Sequence, residues 1–208
     1  VGSFVNSEEN AYNVFNHPDN LGLDGSAMID GITVTGGNAN FWPYYFGAGI
    51  FNGSNNKIVV TNCYFTRNYS GNYGGAINNG PSREGEFASH TGSVTIEASS
   101  FSDNFSFSAG GAVTSQGGSL NIENSDFTGN SSLNDAGGAI WIGGSITIIE
   151  GSIFQENEAV MGGAVVLSPE TEDISVGSAP IAEVNNCVFS NNNALSFGGF
   201  GATVNFSM

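Results

Sequence analysis

The stretch NYGGAINNG at residues 72–80 contains a Gly-Gly-Ala triplet directly before a β-branched residue. The same pattern recurs as GAGI at 47–50, GGAV at 110–113, GGAI at 137–140, GGAV at 162–165 and, more loosely, GGFGATV at 198–204. The copies begin 27, 36, 27, 25 and 36 residues apart. No Lys-Ser/Thr pair and no helical pattern follows any copy, so a phosphate-binding loop is excluded. Recurrence at a fixed period indicates a repeat protein.

A second motif, Phe-x-x-Asn, recurs with nearly the same period, in steps of 36, 26, 27 and 35 residues. Its five copies pair Phe65 with Asn68, Phe101 with Asn104, Phe127 with Asn130, Phe154 with Asn157, and Phe189 with Asn192. Both motifs therefore share a unit of about 26 residues. The two longer steps contain inserts near 78–92 and 167–180, and their Pro, Glu and Ser content is typical of surface loops.

One unit contains three short runs with the alternation of strands: GGAIWI, SLNIEN and SDFTGN. A unit of this size cannot bury its own apolar face, whereas stacked units share a continuous core. The sequence therefore predicts an all-β protein, a right-handed parallel β-helix solenoid of about six rungs of about 26 residues. The handedness follows the general rule for parallel crossovers.

Stacked units place equivalent residues above one another, which predicts ladders inside the solenoid. The five Phe residues are predicted to point inward, together with the aliphatic residues that precede them. These are Ile58 and Val60, Val94 and Ile96, Leu120 and Ile122, a shifted Ile149, and Val184. The five Asn residues are predicted to stack their amides about 4.8 Å apart at a turn. Asn also tolerates the left-handed conformation that tight corners require.

Taken together, GGA[IV] and Phe-x-x-Asn resemble the repeats of polymorphic outer-membrane-type proteins and related bacterial surface proteins. MIDGITVTGGNAN at 28–40 looks like the opening segment of such a right-handed parallel β-helix. The resemblance covers about residues 28–204. It implies an exported protein, in a group that includes adhesins, autotransporter passengers and uncharacterised exported proteins. The first unit departs from the pattern, with Val34 and Gly37 where the others have Phe and Asn.

Composition and charge limit the fold class, the partners and the location that can be expected for this chain. Glycine occurs 31 times, asparagine 27 times and leucine only 6 times, which favours a β protein with many turns. The net charge of −16 repels nucleic acid and anionic membranes. No apolar run reaches the ~20 residues that span a bilayer. We expect one β-helix domain over 1–208, an extracellular or cell-surface segment of a longer chain, with an irregular N-terminal rung or cap at 1–27.

Two groups of side chains are candidates for function. Glu97, Glu123 and Glu150 each lie four residues before a ladder Phe, so stacking predicts a column of carboxylates. Such a column could splay into water, could hold Ca²⁺, the only cofactor left open, or could act as an acid/base pair on a sugar. Polysaccharide lyases of this fold rely on basic residues beside acidic ones, and only Lys57, Arg67 and Arg83 are present.

The second candidate group is aromatic and comprises Phe41, Trp42, Tyr44, Tyr45 and Trp141. Alternation predicts that Trp141 points outward between inward Ile140 and Ile142. Exposed aromatic rings are a common platform for sugars and protein partners. The alternative is that the FWPYYF segment (41–46) packs over the solenoid and that Trp141 lies beneath a neighbouring loop.

Cys63 and Cys187 each lie two residues before a ladder Phe, in units four rungs apart. Four rungs correspond to roughly 19 Å at ~4.8 Å per rung. A disulfide requires Cα atoms within about 7 Å. The two residues are therefore predicted to be separate buried thiols.

Three functions remain open from the sequence. The leading one is a non-enzymatic adhesin or structural passenger that binds an extended partner, either a surface glycan or a protein. The alternatives are a carbohydrate-active enzyme, a polysaccharide hydrolase or lyase that uses the acidic column, and a passive spacer.

Overall fold

The computed structural model describes residues 11–17, 27–40, 45–53, 55, 57–80, 91–168, 181–195 and the backbone of 204–206. Within these residues every regular element is a β-strand, and the strands form four parallel sheets, named A to D. No helix in this part of the chain is long and apolar enough to cross a bilayer.

The strands are numbered β1 to β25 along the chain. Sheet A contains β1 (Phe15–His17), β5 (Ile50–Asn52), β9 (Ile77–Asn79), β13 (Val113–Gln116), β17 (Ile140–Gly143), β21 (Val165–Ser168) and β25 (Val204–Phe206). Sheet B contains β2 (Ala27–Asp30), β6 (Lys57–Thr61), β10 (Ser93–Glu97), β14 (Ser119–Glu123), β18 (Ile146–Glu150) and β22 (Ile181–Asn185).

Sheet C contains β3 (Thr33–Thr35), β7 (Tyr64–Thr66), β11 (Ser100–Ser102), β15 (Asp126–Thr128), β19 (Ile153–Gln155) and β23 (Val188–Ser190). Sheet D contains β4 (Asn38–Ala39), β8 (Tyr69–Ser70), β12 (Phe105–Ser106), β16 (Ser131–Ser132), β20 (Glu158–Ala159) and β24 (Asn193–Ala194).

The chain visits sheets B, C, D and A in that order, and each strand pairs with its equivalent in the next turn. One such circuit is a rung, and rungs 1 to 6 start at β2, β6, β10, β14, β18 and β22. Strand β1 adds one further strand to sheet A. The prediction of a right-handed parallel β-helix of about six rungs is confirmed.

Each rung contains four strands, whereas the sequence predicted three. The additional strand, in sheet D, is only two residues long and lies between the Phe-x-x-Asn motif and the Gly-Gly-Ala motif. A two-residue strand cannot display an alternating pattern, so periodicity does not detect it. It is defined by its backbone pairing with the rungs on either side.

The interior is filled by in-register ladders of apolar side chains. Neighbouring rings of Phe65, Phe101, Phe127, Phe154 and Phe189 stack with centroid distances of 4.8, 4.7, 4.9 and 4.8 Å. Val34 takes the same position in rung 1. Ile149 is not shifted as predicted, because it pairs in register with Ile122. The irregular member of rung 5 is Thr147, which lies opposite Leu120.

The asparagine ladder is present and buried. Each Nδ2 donates to Oδ1 of the next ladder residue at 2.9–3.0 Å, from Asn68 through Asn104, Asn130 and Asn157 to Asn192. Each Nδ2 also donates to the backbone carbonyl of a residue in the preceding rung, such as Phe101 O for Asn130. Every amide in the middle of the ladder therefore links its rung to both neighbours.

The sequence suggested left-handed backbone geometry at the ladder asparagine itself. The residue with positive φ at this corner is instead the one directly before the asparagine. Asp103 and Glu156 have φ values of 54° and 56°, and glycine occupies the same place at Gly129. The ladder asparagines are not among the residues with positive φ. Their N–H groups donate to the next Oδ1, as Asn104 N does to Asn130 Oδ1 at 3.1 Å.

The two glycines of the Gly-Gly-Ala motif serve different purposes, as the rung 4 copy shows. Gly137 has φ +70°, a conformation that L side chains rarely adopt. Gly138 lies against the next rung, where an added Cβ would be 2.1 Å from Gly163 O. The motif therefore combines a sharp corner with a close approach between rungs.

Both cysteines are free thiols, as predicted. Cys63 is buried, whereas Cys187 is only half-buried, since its rung lies at the edge of sheets B and C. The serines at the equivalent positions use their hydroxyls to join rungs, and Cys63 N donates to Ser99 Oγ at 3.0 Å.

The predicted inserts and the N-terminal segment fall partly outside the described residues. Residues 78–79 and 167–168 belong to strands of sheet A, and 15–17 form β1. Residues 1–10, 18–26, 81–90 and 169–180 are not among those described.

The asparagine ladder should carry a measurable share of the stability. Asn130→Ala removes two donated bonds and leaves Asn104 Nδ2, Asn104 N and Phe101 O without the partner seen here. We expect a loss of about 3 kcal/mol, the upper end for an unsatisfied buried group. Asn134→Ala, at an exposed corner position, is the control and should be nearly neutral. Equal unfolding midpoints in urea for the two variants would contradict the ladder's role.

Replacement of one inward residue, Thr147, should increase the stability of the fold. Thr147 is 1% exposed inside sheet B, and its hydroxyl makes no hydrogen bond within the described residues. Thr147→Val should raise the free energy of unfolding by roughly 1 kcal/mol, because it removes an unpaired polar group at constant volume. The matched control is Thr114→Val, since the equally buried Thr114 hydroxyl donates to Ala109 O at 3.0 Å. The control should lose stability, so a shift of the same sign in both would refute the argument.

Candidate functional site

The outer face of sheet A gathers most of the described aromatic side chains that pack against one another outside the core. Five outward positions lie in register along the axis: Phe51, Asn78, Thr114, Trp141 and Val166. Trp141 is half-buried, while Ile140 and Ile142 on either side are fully buried in the core. Alternation along β17 therefore places the indole on the outer face.

Four aromatic rings form a connected group here, which we call the aromatic row: Phe46, Phe51, Tyr73 and Trp141. The Phe46 and Tyr73 ring centroids are 5.8 Å apart, and those of Tyr73 and Trp141 are 6.1 Å apart, both in stacked orientation. Phe51 joins through Phe46 at 6.3 Å. These separations are those of interacting aromatic pairs. The row links rungs 1, 2 and 4 along the axis of the solenoid.

Small residues make room for the rings. Phe46, Tyr73, Ala109 and Ala136 occupy equivalent corner positions, directly before the left-handed glycine of each rung. Both alanines are buried. Gly143 plays a similar part, since a Cβ there would come within 2.4 Å of the Trp141 ring. A side chain at position 143 would displace the Trp141 ring from the row.

Two amide side chains of this face are buried without hydrogen bonds. Asn78 and Gln116 are 0% and 1% exposed, and neither the oxygen nor the nitrogen of either side chain has a partner within the described part of the chain. An unpaired buried amide costs roughly 1–3 kcal/mol. The β-helix itself does not require amides here, because the neighbouring rungs place Phe51, Thr114 and Gly143 at equivalent outward positions.

The acidic column lies on a different face. Glu97, Glu123 and Glu150 pair in register on the outer side of sheet B, as the spacing predicted. Glu97 and Glu150 are exposed and Glu123 is half-buried, with its Oε1 accepting a hydrogen bond from Asn121 Nδ2 at 3.0 Å. Among the described residues, no group of three or more His, Cys, Asp or Glu side chains is placed to hold a metal ion.

The remaining predicted binding residues divide between described and undescribed parts of the chain. Phe41, Trp42 and Tyr44 lie outside the described residues. Tyr45 is half-buried, and its carbonyl accepts hydrogen bonds from Asn72 N and from Ser70 Oγ. Sequence reasoning missed Tyr73, whose ring stacks between those of Phe46 and Trp141. An alignment of the residues before each Gly-Gly-Ala motif would have revealed it beside Phe46.

Comparison of the chain with protein-family models, with curated proteins and with solved structures finds no match. The resemblance of the repeats to bacterial surface proteins is therefore an expectation from the motifs alone.

The acidic column should cost stability through repulsion, because like charges directly opposite each other on neighbouring strands destabilise a sheet. Glu123 has a carboxylate opposite it on both sides, whereas Glu183 lies opposite Ile148. We therefore expect Glu123→Gln to raise the melting temperature at low salt, with a smaller gain at high salt. Glu183→Gln removes the same charge and should change the melting temperature much less.

The same pair of variants tests calcium. A melting temperature that rises with CaCl₂ in the unmodified protein and in Glu183→Gln, but not in Glu123→Gln, would identify the column as a Ca²⁺ site. A Glu123→Gln variant that is less stable at low salt would contradict the repulsion argument.

Proposed function

We propose that this protein is an exported, non-enzymatic solenoid of the cell surface that binds an extended glycan along the outer face of sheet A. The observation that carries the proposal is the aromatic row, in which half-buried Tyr73 and Trp141 stack in line with the solenoid axis. Aromatic faces supply large apolar contact area with little conformational entropy to lose, which suits the apolar faces of sugar rings.

The buried amides on the same face support this assignment. Asn78 and Gln116 lower stability without a structural need, and such a cost is typical of residues retained for function. Amide groups both donate and accept hydrogen bonds, which matches the hydroxyl groups of a carbohydrate. Gln116 lies opposite Gly143, and the Trp141 ring lies against Gly143. We propose that a ligand which moves the indole reaches this amide.

Charge and shape favour a neutral, extended ligand. A net charge of −16 disfavours nucleic acid, anionic membranes and strongly acidic polymers. A solenoid offers a long flat face rather than a closed cleft, and long faces suit polymers better than small substrates. The proposal requires no cofactor. The resemblance of the motifs to bacterial surface proteins supports the proposed location.

One observation keeps a carbohydrate-active enzyme as the alternative. Glu97, Glu123 and Glu150 lie on adjacent strands, and strands are about 4.8 Å apart, close to the ~5–5.5 Å separation of the carboxylates in retaining glycosidases. Against this, the column faces solvent on a flat sheet and no described cation stands in register with it. An assay for binding should therefore also measure cleavage.

The test is a panel of neutral and acidic polysaccharides, assayed for retention of the protein and for release of reducing ends. We expect a neutral member to bind and no product to form. Trp141→Ala and Tyr73→Ala should each weaken binding about 10- to 30-fold, because Trp and Tyr dominate such interfaces. Tyr64→Ala is the matched control, since Tyr64 is an exposed tyrosine on sheet C, and it should bind like the unmodified protein.

Two results would contradict the proposed glycan-binding function. Reducing-end release that disappears in Glu123→Gln would identify the enzyme. If no polysaccharide of the panel retains the protein, or if Trp141→Ala and Tyr73→Ala do not weaken its retention, the protein is a spacer or the surface binds another ligand.

A further inference from the structure

Among the described residues, five aliphatic side chains are exposed in rungs 5 and 6, on the outer faces of sheets B and C. They are Ile146, Ile148, Ile153, Ile181 and Val188, with exposed fractions of 57, 40, 40, 61 and 54%. We call them the aliphatic patch. Ile146 pairs in register with Ile181, and Ile153 with Val188. Single exposed apolar residues are ordinary, whereas a group of them in register marks an interaction surface.

The earlier rungs provide an internal control for these positions. The column that contains Ile146 and Ile181 holds Lys57, Ser93 and Ser119 in rungs 2 to 4. The column that contains Ile153 and Val188 holds Tyr64, Ser100 and Asp126 in rungs 2 to 4. The repeat therefore does not demand apolar residues at these outward positions. Of rungs 2 to 6, only rungs 5 and 6 hold aliphatic side chains in both columns.

The charge around the patch has one sign. Glu150 follows Ile148 on the same face of β18, and Glu183 lies opposite Ile148 on β22. All three Lys and Arg residues of the chain precede residue 84, whereas 14 of the 19 Asp and Glu residues follow residue 83. The aliphatic patch is therefore set in a strongly negative part of the molecule.

We infer that the aliphatic patch docks a cationic polypeptide, one whose own aliphatic side chains are flanked by Lys or Arg. Apolar contact supplies the attraction at short range, and the carboxylates around the patch select a basic partner and accelerate the encounter. This surface is distinct from the aromatic row, which lies on sheet A, and the inference does not depend on the proposed glycan.

The charge also distinguishes among other possible occupants. A second copy of this chain would bring a second field of carboxylates against the first, which opposes dimerisation through the patch. An anionic lipid surface is opposed for the same reason. A basic polypeptide is the occupant for which both the apolar residues and the carboxylates contribute favourably.

The test uses synthetic probes and the full chain. The first probe is a fluorescent peptide of alternating Lys and Ile, the second replaces each Ile by Ser, and the third replaces each Lys by Glu. Fluorescence anisotropy at physiological salt should show binding of the Lys/Ile peptide, at least 10-fold weaker binding of the Lys/Ser peptide, and no binding of the Glu/Ile peptide.

The decisive comparison is between two doubly substituted proteins. Ile146→Ser with Ile181→Ser should weaken binding of the Lys/Ile peptide at least 10-fold. Met28→Ser with Phe107→Ser removes exposed apolar residues outside the patch and should leave binding unchanged. All four side chains are 44–68% exposed, so the fold should persist, and unchanged melting temperatures would verify this.

Three outcomes would overturn the inference. Equal affinity of the two double variants for the Lys/Ile peptide would mean that charge alone binds it. Sedimentation that shows a dimer lost in Ile146→Ser with Ile181→Ser would assign the patch to a second copy. Binding of the patch to anionic vesicles in preference to the peptide would assign it to a membrane. Trp141→Ala should leave peptide binding unchanged. Failure of the peptide experiment can therefore be distinguished from failure of the glycan experiment.

Discussion

The hydrogen bonds between asparagine amides of successive rungs fix the register of the whole solenoid. Each internal ladder residue donates to the next amide and to a backbone carbonyl of the preceding rung, in a buried position. A rung that slipped by one residue would leave several buried polar groups unpaired, at roughly 1–3 kcal/mol each. The same register sets the ring stacking of the phenylalanines, since both residues lie three positions apart in one motif.

This constraint divides the side chains into an inward and an outward population. Most inward positions repeat the same chemistry from rung to rung, because each must pack on its equivalent about 4.8 Å away. Sheet A contains an exception, a buried column that changes from Asn79 through Ser115 to Ile142. Thr147 in sheet B shows the cost that a single unpaired exception carries. Outward positions face no such demand, and there the composition varies from lysine and serine to isoleucine. Function in this fold can therefore be assigned from departures among equivalent outward positions.

The sequence predicted the inward population well because its information is periodic. The Phe and Asn ladders, the corner glycines and the separation of Cys63 from Cys187 all follow from spacing. Spacing did not reveal the two-residue strands of sheet D, whose backbone pairing leaves no pattern of side chains. It also assigned left-handed geometry to the wrong residue, because glycine, aspartate and glutamate all occupy that position.

The outward population was harder to predict. Trp141 could be placed by alternation, but its contact with Tyr73 joins rings from rungs 2 and 4, which no local pattern of the sequence brings together. The aliphatic patch is spread over four short strands, separated by up to 42 residues between Ile146 and Val188. No local pattern joins such residues. Only the register of the stacked rungs places Ile146 beside Ile181 and Ile153 beside Val188.

The positions of the two surfaces follow from the same register. The aromatic row occupies sheet A between rungs 1 and 4, whereas the aliphatic patch occupies sheets B and C in rungs 5 and 6. A ligand on either surface contacts a stack whose backbone is held by hydrogen bonds between every pair of neighbouring rungs. The two surfaces lie on different sheets and in different rungs, so the proposed glycan and the proposed basic polypeptide would not compete for the same residues. Simultaneous binding of both proposed ligands is what we expect of a protein that connects two components of a surface.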